Sequence, residues 1–291
     1  MSLRKPGWAA ALAVAAAFFA PTSAWSALVG CTLSLPALSG GYSDTANLDA
    51  SGVVTVTCTR DNNGKDDYYL RLNLAQTSTE TMSTPYPDTL NYGIYTDTLR
   101  SVRWTAQEAT VTLSGNVNKV GSATLTAYLR VPSGQSGKAA GLYNGSIMAT
   151  LQLLTAPGGA VTRTLATSSL GTQVTVPKSC ALGTTLPSYS LTYQAFQTAA
   201  LANSSQNLSL TCTKGTSYTL TLDQTTGIVP TVELRYQLVF TSSAGPAVSA
   251  LATTGTAAQH GLTLTLPAGQ AGACATGTCT GSSVRTVTVS Y

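Results

Sequence analysis

The chain has 291 residues, enough for two domains of ordinary size. Only 9% of the residues are charged and the formal net charge is +4, whereas a typical soluble domain has about 25% charged residues. This composition excludes charge-rich disordered tails and coiled coils, and it disfavours nucleic-acid binding. The single histidine, His260, excludes multi-histidine metal sites and weakens any Ser–His or Cys–His mechanism.

The first 26 residues have the pattern of a secretory signal peptide. Arg4 and Lys5 precede an apolar run over residues 8–20, and Pro21 and several small residues follow it. Cleavage is expected after Ala24 or after residue 26. A membrane anchor is the alternative, but the apolar run is shorter than the roughly 20 residues that a spanning helix needs. The sequence therefore predicts export.

Six cysteines in an exported chain indicate disulfide bonds. Two pairs have similar long separations, 27 and 32 residues, and the last two cysteines could close a small local loop. Other pairings remain formally open, and a zinc site is disfavoured because no CxxC pair and no second histidine are present. We expect no metal and no cofactor. The expected bonds are Cys31–Cys58, Cys180–Cys212 and Cys274–Cys279.

An internal repeat of about 150 residues organises the chain after the signal segment. Four pairs of segments match in the same order: 54–59 with 208–213, 68–73 with 218–223, 92–95 with 236–240, and 128–135 with 263–270. The matching segments are short, rich in Val, Leu, Thr and Tyr, and separated by Gly, Pro, Asn and Ser. This pattern predicts an all-β protein of two antiparallel β-sandwiches.

The segment 91–104, NYGIYTDTLRSVRW, resembles the signature of the spore coat protein U domain family. The VTVTC strand at 54–58, the P-x-G-Q turn at 132–135 and the final strand at 281–291 also resemble that family. The second copy keeps its cysteines, its turn and its last strand, but residues 241–246 replace the T-D-x-x-R part of the signature. Within the signature we interpret Asp97 and Arg100 as a turn cap and an ion pair.

Most members of this family are subunits of archaic, Csu-type chaperone–usher pili. The resemblance implies two immunoglobulin-like β-sandwich domains, the second of which lacks its final strand. It also implies a periplasmic pilus chaperone that lends the missing strand, an outer-membrane usher, and a next pilin subunit that replaces the lent strand. The expected location is the cell surface, reached through the periplasm, and no nucleic-acid partner is expected.

The position of the chain within a pilus is predicted from its ends. Only residues 27–30 separate the expected cleavage site from Cys31, whereas a donor strand needs about ten residues. We therefore expect a tip subunit rather than an adaptor. Residues 178–291 would form a pilin domain whose terminal strand presents Val287, Val289 and Tyr291 on one face for pairing with the chaperone or a donor.

Residues 160–177 link the expected adhesive domain, 27–159, to the second domain. A flexible Thr- and Ser-rich linker is one interpretation. We favour the alternative that this segment completes the first domain in cis, because an incomplete sandwich would expose its core. The apolar residues of this cis donor strand are Val161, Leu165, Leu170, Val174 and Val176.

For adhesion, the expected site is a loop of the first domain that points away from the linker. The candidate loops are 61–67, 77–91 and 133–144, of which the second carries Met82, Pro85 and Tyr86. These residues could instead pack on their own sandwich. The acidic loop 61–67 does not fit a calcium-binding pattern and is expected to be a polar hairpin.

The sequence predicts a tip adhesin that binds an unknown surface or receptor and mediates attachment and biofilm formation. It contains no GxSxG, HExxH, P-loop or GxGxxG motif in a suitable context, so no enzyme activity is expected. The alternative function is a free secreted carbohydrate- or surface-binding β-sandwich protein outside any pilus.

Overall fold

A computed structural model describes residues 30–60, 66–114, 118–273 and 280–291. The expected signal peptide, the expected Cys274–Cys279 bond and most of the acidic loop lie outside these residues. Across the described ranges, no helix has the length and hydropathy needed to cross a membrane.

The described residues of the first domain form ten strands, several of which have the predicted alternation of apolar and polar residues. Along β3 and β9 the side chains alternate between buried and more exposed positions, so each strand places one face in the core. The strands are β1 (Gly30–Ser34), β2 (Leu38–Gly41), β3 (Leu48–Arg60), β4 (Asp67–Leu74), β5 (Glu80–Ser83), β6 (Thr89–Tyr95), β7 (Ala106–Thr112), β8 (Lys119–Val131), β9 (Gly141–Leu154) and β10 (Val161–Val176).

Two layers enclose the core of the first domain. One layer has the order β1-β3-β8-β6 and the other has the order β7-β4-β9-β10-β2. The short strand β5 pairs with β6 and touches β9, so it joins the layers at one side. Cys31 lies opposite Cys58 in the β1–β3 register, and the two form a disulfide bond. Trp104, Tyr92 and Tyr143 are the largest fully buried side chains of the core.

The segment 160–177 is a strand of the first domain rather than a free linker. β10 pairs antiparallel with the whole of β9, from Val161 opposite Leu154 to Val176 opposite Gly141, and its second half pairs parallel with β2. Its inward side chains are part of the hydrophobic core, because Leu170, Val174 and Val176 are buried and Leu165 packs against them. Val161 is exposed at the start of the strand. The first domain therefore extends to Val176.

The second domain contains eight described strands in two layers, with orders β11-β12-β17-β15-β14 and β16-β13-β18. Cys180 lies opposite Cys212 in the β11–β12 register, and the two form the second disulfide bond. The strands are β11 (Cys180–Leu182), β12 (Leu201–Cys212), β13 (Ser217–Leu222), β14 (Thr226–Val229), β15 (Leu234–Phe240), β16 (Ala247–Leu251), β17 (Ala257–Leu266) and β18 (Val287–Ser290).

The sequence repeat is also a structural repeat. The layer β11-β12-β17-β15-β14 has the same order as β1-β3-β8-β6-β5, and β16-β13-β18 has the same order as β7-β4-β9. β10 and β2 have no counterpart among the described strands of the second domain. The two domains therefore differ at the edge where β10 lies.

A glutamine that makes the same hydrogen bonds in each domain shows which residues of the two domains are equivalent. In the first domain the side-chain oxygen of Gln135 accepts a hydrogen bond from the Asn91 amide at 2.7 Å, and its side-chain nitrogen donates to the Asn91 carbonyl oxygen at 3.1 Å. The Gln135 backbone amide donates to the Tyr42 hydroxyl at 3.0 Å. This residue therefore ties the P-x-G-Q turn to β6 and to the end of β2.

Gln270 makes the same three bonds in the second domain. Its side-chain oxygen accepts from the Arg235 amide at 2.6 Å, its side-chain nitrogen donates to the Arg235 carbonyl at 3.0 Å, and its backbone amide donates to the Tyr193 hydroxyl at 2.9 Å. Arg235 is thus equivalent to Asn91, and Tyr193 is equivalent to Tyr42. It follows that Tyr236 corresponds to Tyr92, and residues 189–192 correspond to β2.

The packing of β10 predicts a large effect of truncating its central leucine. Leu170→Ala should lower the free energy of unfolding of the first domain by about 2–5 kcal/mol, because it leaves a cavity in a closed core. Thr175→Ala, on the exposed face of the same strand, should change it by less than about 0.5 kcal/mol. Chemical denaturation followed by Trp104 fluorescence measures both, and equal midpoints for the two variants would show that β10 does not close the core.

Candidate functional site

The edge strand β18 is the main difference between the two domains. β18 pairs antiparallel with β13, so that Val287 lies opposite Leu222 and Val289 lies opposite Leu220. Its equivalent, β9, pairs with β4 on one side and with β10 on the other. Within the described residues no strand pairs with the second edge of β18. This edge is therefore a candidate binding site for an extended chain.

Val287 on the inner face of β18 is less buried than its equivalent in β9, Leu151. In the first domain Leu151 lies opposite Leu72 and is completely buried. In the second domain Val287 and Val289 face the core but are only partly buried, and Tyr291 is exposed. The three residues predicted for strand pairing thus lie at the open edge, and the two valines retain apolar surface that a further strand would cover.

The segment on the other side of this gap also has no strand partner within the described residues. Residues 189–192 correspond to β2, and Tyr189, Leu191 and Tyr193 pack against the second core while remaining partly exposed. The Tyr189 hydroxyl donates to the Leu262 carbonyl at 2.7 Å, and burial raises the pKa of Tyr189 to about 12. The tyrosine therefore stays neutral and holds this segment on the sandwich.

A polar group of side chains lies beside one end of the gap. The hydroxyl groups of Tyr236 and Ser283 are 2.7 Å apart and share a hydrogen bond. The guanidinium of Arg285 lies 5.2 Å from the centroid of the Tyr236 ring and donates to the Thr226 carbonyl at 2.8 Å. The open edge therefore has an apolar part at Val287 and Val289 and a polar part next to Tyr236.

The predicted adhesive loop does not have the exposed position that was expected. Met82 is 0% exposed, because it lies in β5 and its side chain enters the core of the first domain. The prediction is therefore wrong for this residue. Pro85 and Tyr86 follow β5 and are exposed.

The loop that carries Pro85 and Tyr86 faces the second domain. Asp88 forms an ion pair with Lys214 at 2.9 Å, and the Ala140 amide donates to the Lys214 carbonyl at 2.7 Å. A methyl group on Gly215 would lie 3.8 Å from the ring of Tyr86. Two of the three candidate loops, 77–91 and 133–144, thus lie at the interdomain pole and not at the pole away from it.

The signature segment forms a tight turn between β6 and β7. The Asp97 carboxylate accepts hydrogen bonds from the backbone amides of Ser101 and Val102, and these bonds lower the pKa of Asp97 to about 2. The capping role predicted for Asp97 agrees with this geometry. The predicted ion pair does not, because the Arg100 guanidinium lies 3.2 Å from Asp49.

The same turn carries two exposed apolar side chains. Leu99 is 78% exposed and Val102 is 56% exposed. The turn follows the last residue of β6, whereas Asp88 of the interdomain contact precedes the first residue of that strand. The turn therefore lies at the end of β6 opposite to the interdomain contact.

The single histidine lies in a strand. His260 belongs to β17, and its Nε2 is 2.9 Å from the Tyr218 hydroxyl. Burial lowers the pKa of His260, which favours the neutral ring. Among the described residues, no three His, Cys, Asp or Glu side chains form a group that could hold a metal ion.

The capped turn predicts a pH-dependent contribution to stability. Because the folded pKa of Asp97 is below the unfolded value of about 4, its contribution is present above that pH and is lost as the pH falls towards 2. Asp97→Ala should therefore lower the denaturation midpoint at pH 6, and the difference from the unchanged chain should shrink at pH 2. Thr98→Ala, next to it, should have little effect at either pH. A difference that is the same at both pH values would contradict this role.

Comparisons with known proteins give one family match and several similar solved structures. Residues 18–150 match the model of the Spore Coat Protein U domain. No curated protein sequence matches the chain. A chain of the CsuC–CsuE chaperone–tip adhesion subunit pre-assembly complex, from archaic chaperone-usher Csu pili of Acinetobacter baumannii, is 15% identical over 90% of this chain and 100% of its own length, with a TM-score of 0.49.

Two further solved structures are similar at lower scores. The CupB6 tip adhesin from Pseudomonas aeruginosa is 10% identical, with 83% of this chain and 90% of its own chain covered and a TM-score of 0.38. The CooA pilin subunit from enterotoxigenic Escherichia coli is 14% identical, with coverages of 51% and 97% and a TM-score of 0.33. The match over residues 18–150 includes the signature turn and the first disulfide bond, so this part of the chain is similar to the Spore Coat Protein U domain.

Proposed function

We propose that this protein is a subunit of a chaperone–usher pilus and that the open edge of β18 receives a strand from another subunit. The observation that carries the proposal is the contrast between the two domains. β9 is paired on both sides, whereas β18 is paired only with β13 within the described residues. The first domain thus has a strand, β10, at the edge of β9. The second domain has no described strand at the equivalent edge of β18.

An inserted strand would satisfy two physical requirements at this edge. The backbone N–H and C=O groups on the second side of β18 would gain hydrogen-bond partners, and alternate side chains would cover Val287 and Val289. An uncovered edge of this kind is a template for unwanted pairing with other chains. Continuous protection by a partner strand is therefore the expected state of the second domain in the cell.

The partners follow from this requirement. During export a periplasmic chaperone would occupy the edge of β18, and an outer-membrane usher would direct its replacement by the donor strand of the next pilin. The first domain needs no such partner, because β10 already covers β9 in cis. Each chain therefore accepts one strand, and assembly brings the protein to the cell surface.

We place the protein at the pilus tip, where the first domain mediates attachment and biofilm formation. The interdomain contact through Asp88 and Lys214 removes the loop of Pro85 and Tyr86 from the free pole. The exposed apolar side chains of Leu99 and Val102 lie at the other end of β6, and they are the revised candidates for contact with a surface.

A fused donor strand tests the accepting edge. Ser290 in β18 is equivalent to Leu154 in β9, because the two residues lie opposite the equivalent residues Thr219 and Tyr69. A copy of residues 156–176 added after Tyr291 would therefore reproduce the β9–β10 hairpin in the second domain. The fusion should raise the free energy of unfolding of the second domain by roughly 2–5 kcal/mol, because it buries several aliphatic side chains.

The matched control is the same fusion with the two copied residues equivalent to Leu170 and Val174 changed to Asp. Denaturation of the second domain, followed by amide exchange of β18, compares the two proteins. If both fusions leave its stability unchanged, the second domain is already complete, and the protein is better regarded as a free secreted binding protein.

The exposed turn gives a separate test of adhesion. The double change Leu99→Ser and Val102→Ser should reduce retention of the purified chain on an alkyl-coated surface several-fold, because it removes the apolar contact area without touching the core. Met148→Ser is the matched control, since Met148 is 61% exposed but lies within β9. Equal loss of retention in both variants would contradict a local adhesive site.

A further inference from the structure

The polar end of the open edge defines which strand it accepts, provided that the proposed strand exchange takes place. The two glutamine contacts establish that Tyr236 of β15 is equivalent to Tyr92 of β6. The Tyr92 hydroxyl lies close to Gly145 of β9. The Tyr236 hydroxyl bonds to Ser283, which precedes β18, the equivalent of β9. The surroundings of Tyr92 therefore show what a bound strand places beside this tyrosine.

In the first domain, β10 places a threonine beside Tyr92. Thr172 of β10 is 3% exposed, and it is the polar member of an inward-facing row that also contains Leu170, Val174 and Val176. A methyl group on Gly145 would lie 2.5 Å from the Thr172 hydroxyl oxygen and 2.8 Å from the Tyr92 hydroxyl oxygen. The two hydroxyl groups therefore lie beside the same glycine of β9, although neither has a partner in regular hydrogen-bond geometry among the described residues.

In the second domain the corresponding surroundings are more polar. The Tyr236 hydroxyl shares its hydrogen bond with Ser283, and the guanidinium of Arg285 lies over the Tyr236 ring. Burying a large apolar side chain against these groups would remove water from them and return no hydrogen bond, which is unfavourable. A side chain with a hydroxyl group would avoid that cost.

We infer that the strand accepted by the second domain carries a small hydroxyl-bearing residue, threonine or serine, beside Tyr236 and Arg285, with aliphatic residues two positions before it and two and four positions after it. The pattern is that of Leu170, Thr172, Val174 and Val176. This hydroxyl-bearing residue determines both the register of the inserted strand against β18 and which donor sequences bind. A slip of two residues would place the hydroxyl group against an apolar contact and an aliphatic side chain against Arg285.

Labelled peptides that copy residues 166–177 test this inference on the full chain. The peptide with threonine at the position of Thr172 and a Thr172→Ser peptide should bind, and amide exchange should place them on β18. A Thr172→Val peptide has nearly the same shape without the hydroxyl group and should bind about tenfold more weakly, a difference of about 1.4 kcal/mol. The dissociation constants are measured by fluorescence polarisation.

Two chain variants separate the polar contact from general effects on folding. Tyr236→Phe should reduce the preference for the threonine peptide over the valine peptide, whereas the equivalent change Tyr92→Phe should leave it unchanged. Ser283→Ala gives a second test at the same hydroxyl pair. If the valine peptide protects β18 and binds as tightly as the threonine peptide, the inference is overturned while the proposed strand exchange stands. If no peptide protects β18, both are overturned.

Discussion

The pairing of β10 along the whole of β9 closes the core of the first domain, and the organisation of the molecule depends on where that pairing is made. β9 is central in its layer, because β4 and β10 satisfy its two edges. β18 occupies the same place in the second domain but is an edge strand within the described residues. The first domain is self-sufficient because the chain itself supplies the strand that covers β9. The second domain has no equivalent strand among the described residues and therefore depends on a partner.

The duplicated scaffold keeps the contacts that do not involve this strand. Each domain has its first disulfide-bonded strand pair and its glutamine contact to the strand carrying Tyr92 or Tyr236. None of these contacts uses the second edge of β18, so they can persist while the strand at that edge is exchanged. The signature turn capped by Asp97 belongs to the first domain only, and Ala244 turns the chain at the equivalent place in the second.

Much of this architecture could be predicted from the sequence because it is encoded by local patterns. Alternating residues predicted many of the strands, and the similar separations of two cysteine pairs predicted the two disulfide bonds. The alternation of Val174 and Val176 indicated a strand within a Thr- and Ser-rich segment. Features that depend on distant partners could not be predicted in the same way. Met82 lies in a strand of four residues, too short to show a period.

The ion pair of Arg100 and the position of the candidate loops also depend on distant residues. Arg100 has Asp97 close in sequence, but its partner Asp49 lies on a different strand. The loop of Tyr86 faces the second domain because Asp88 meets Lys214, a contact between residues far apart in the chain. Neither contact leaves a local signal, so reasoning from neighbouring residues gave the wrong partner for Arg100 and the wrong pole for the loop.

Amide hydrogen exchange on the full chain, free and assembled into the pilus, tests the central claim most directly. The account predicts that β9 is protected in both states, whereas the amides on the second edge of β18 exchange quickly in the free chain and slowly after assembly. Slow exchange along β18 in the free chain, unchanged by assembly, would show that the second domain is complete without a partner strand and would contradict the account.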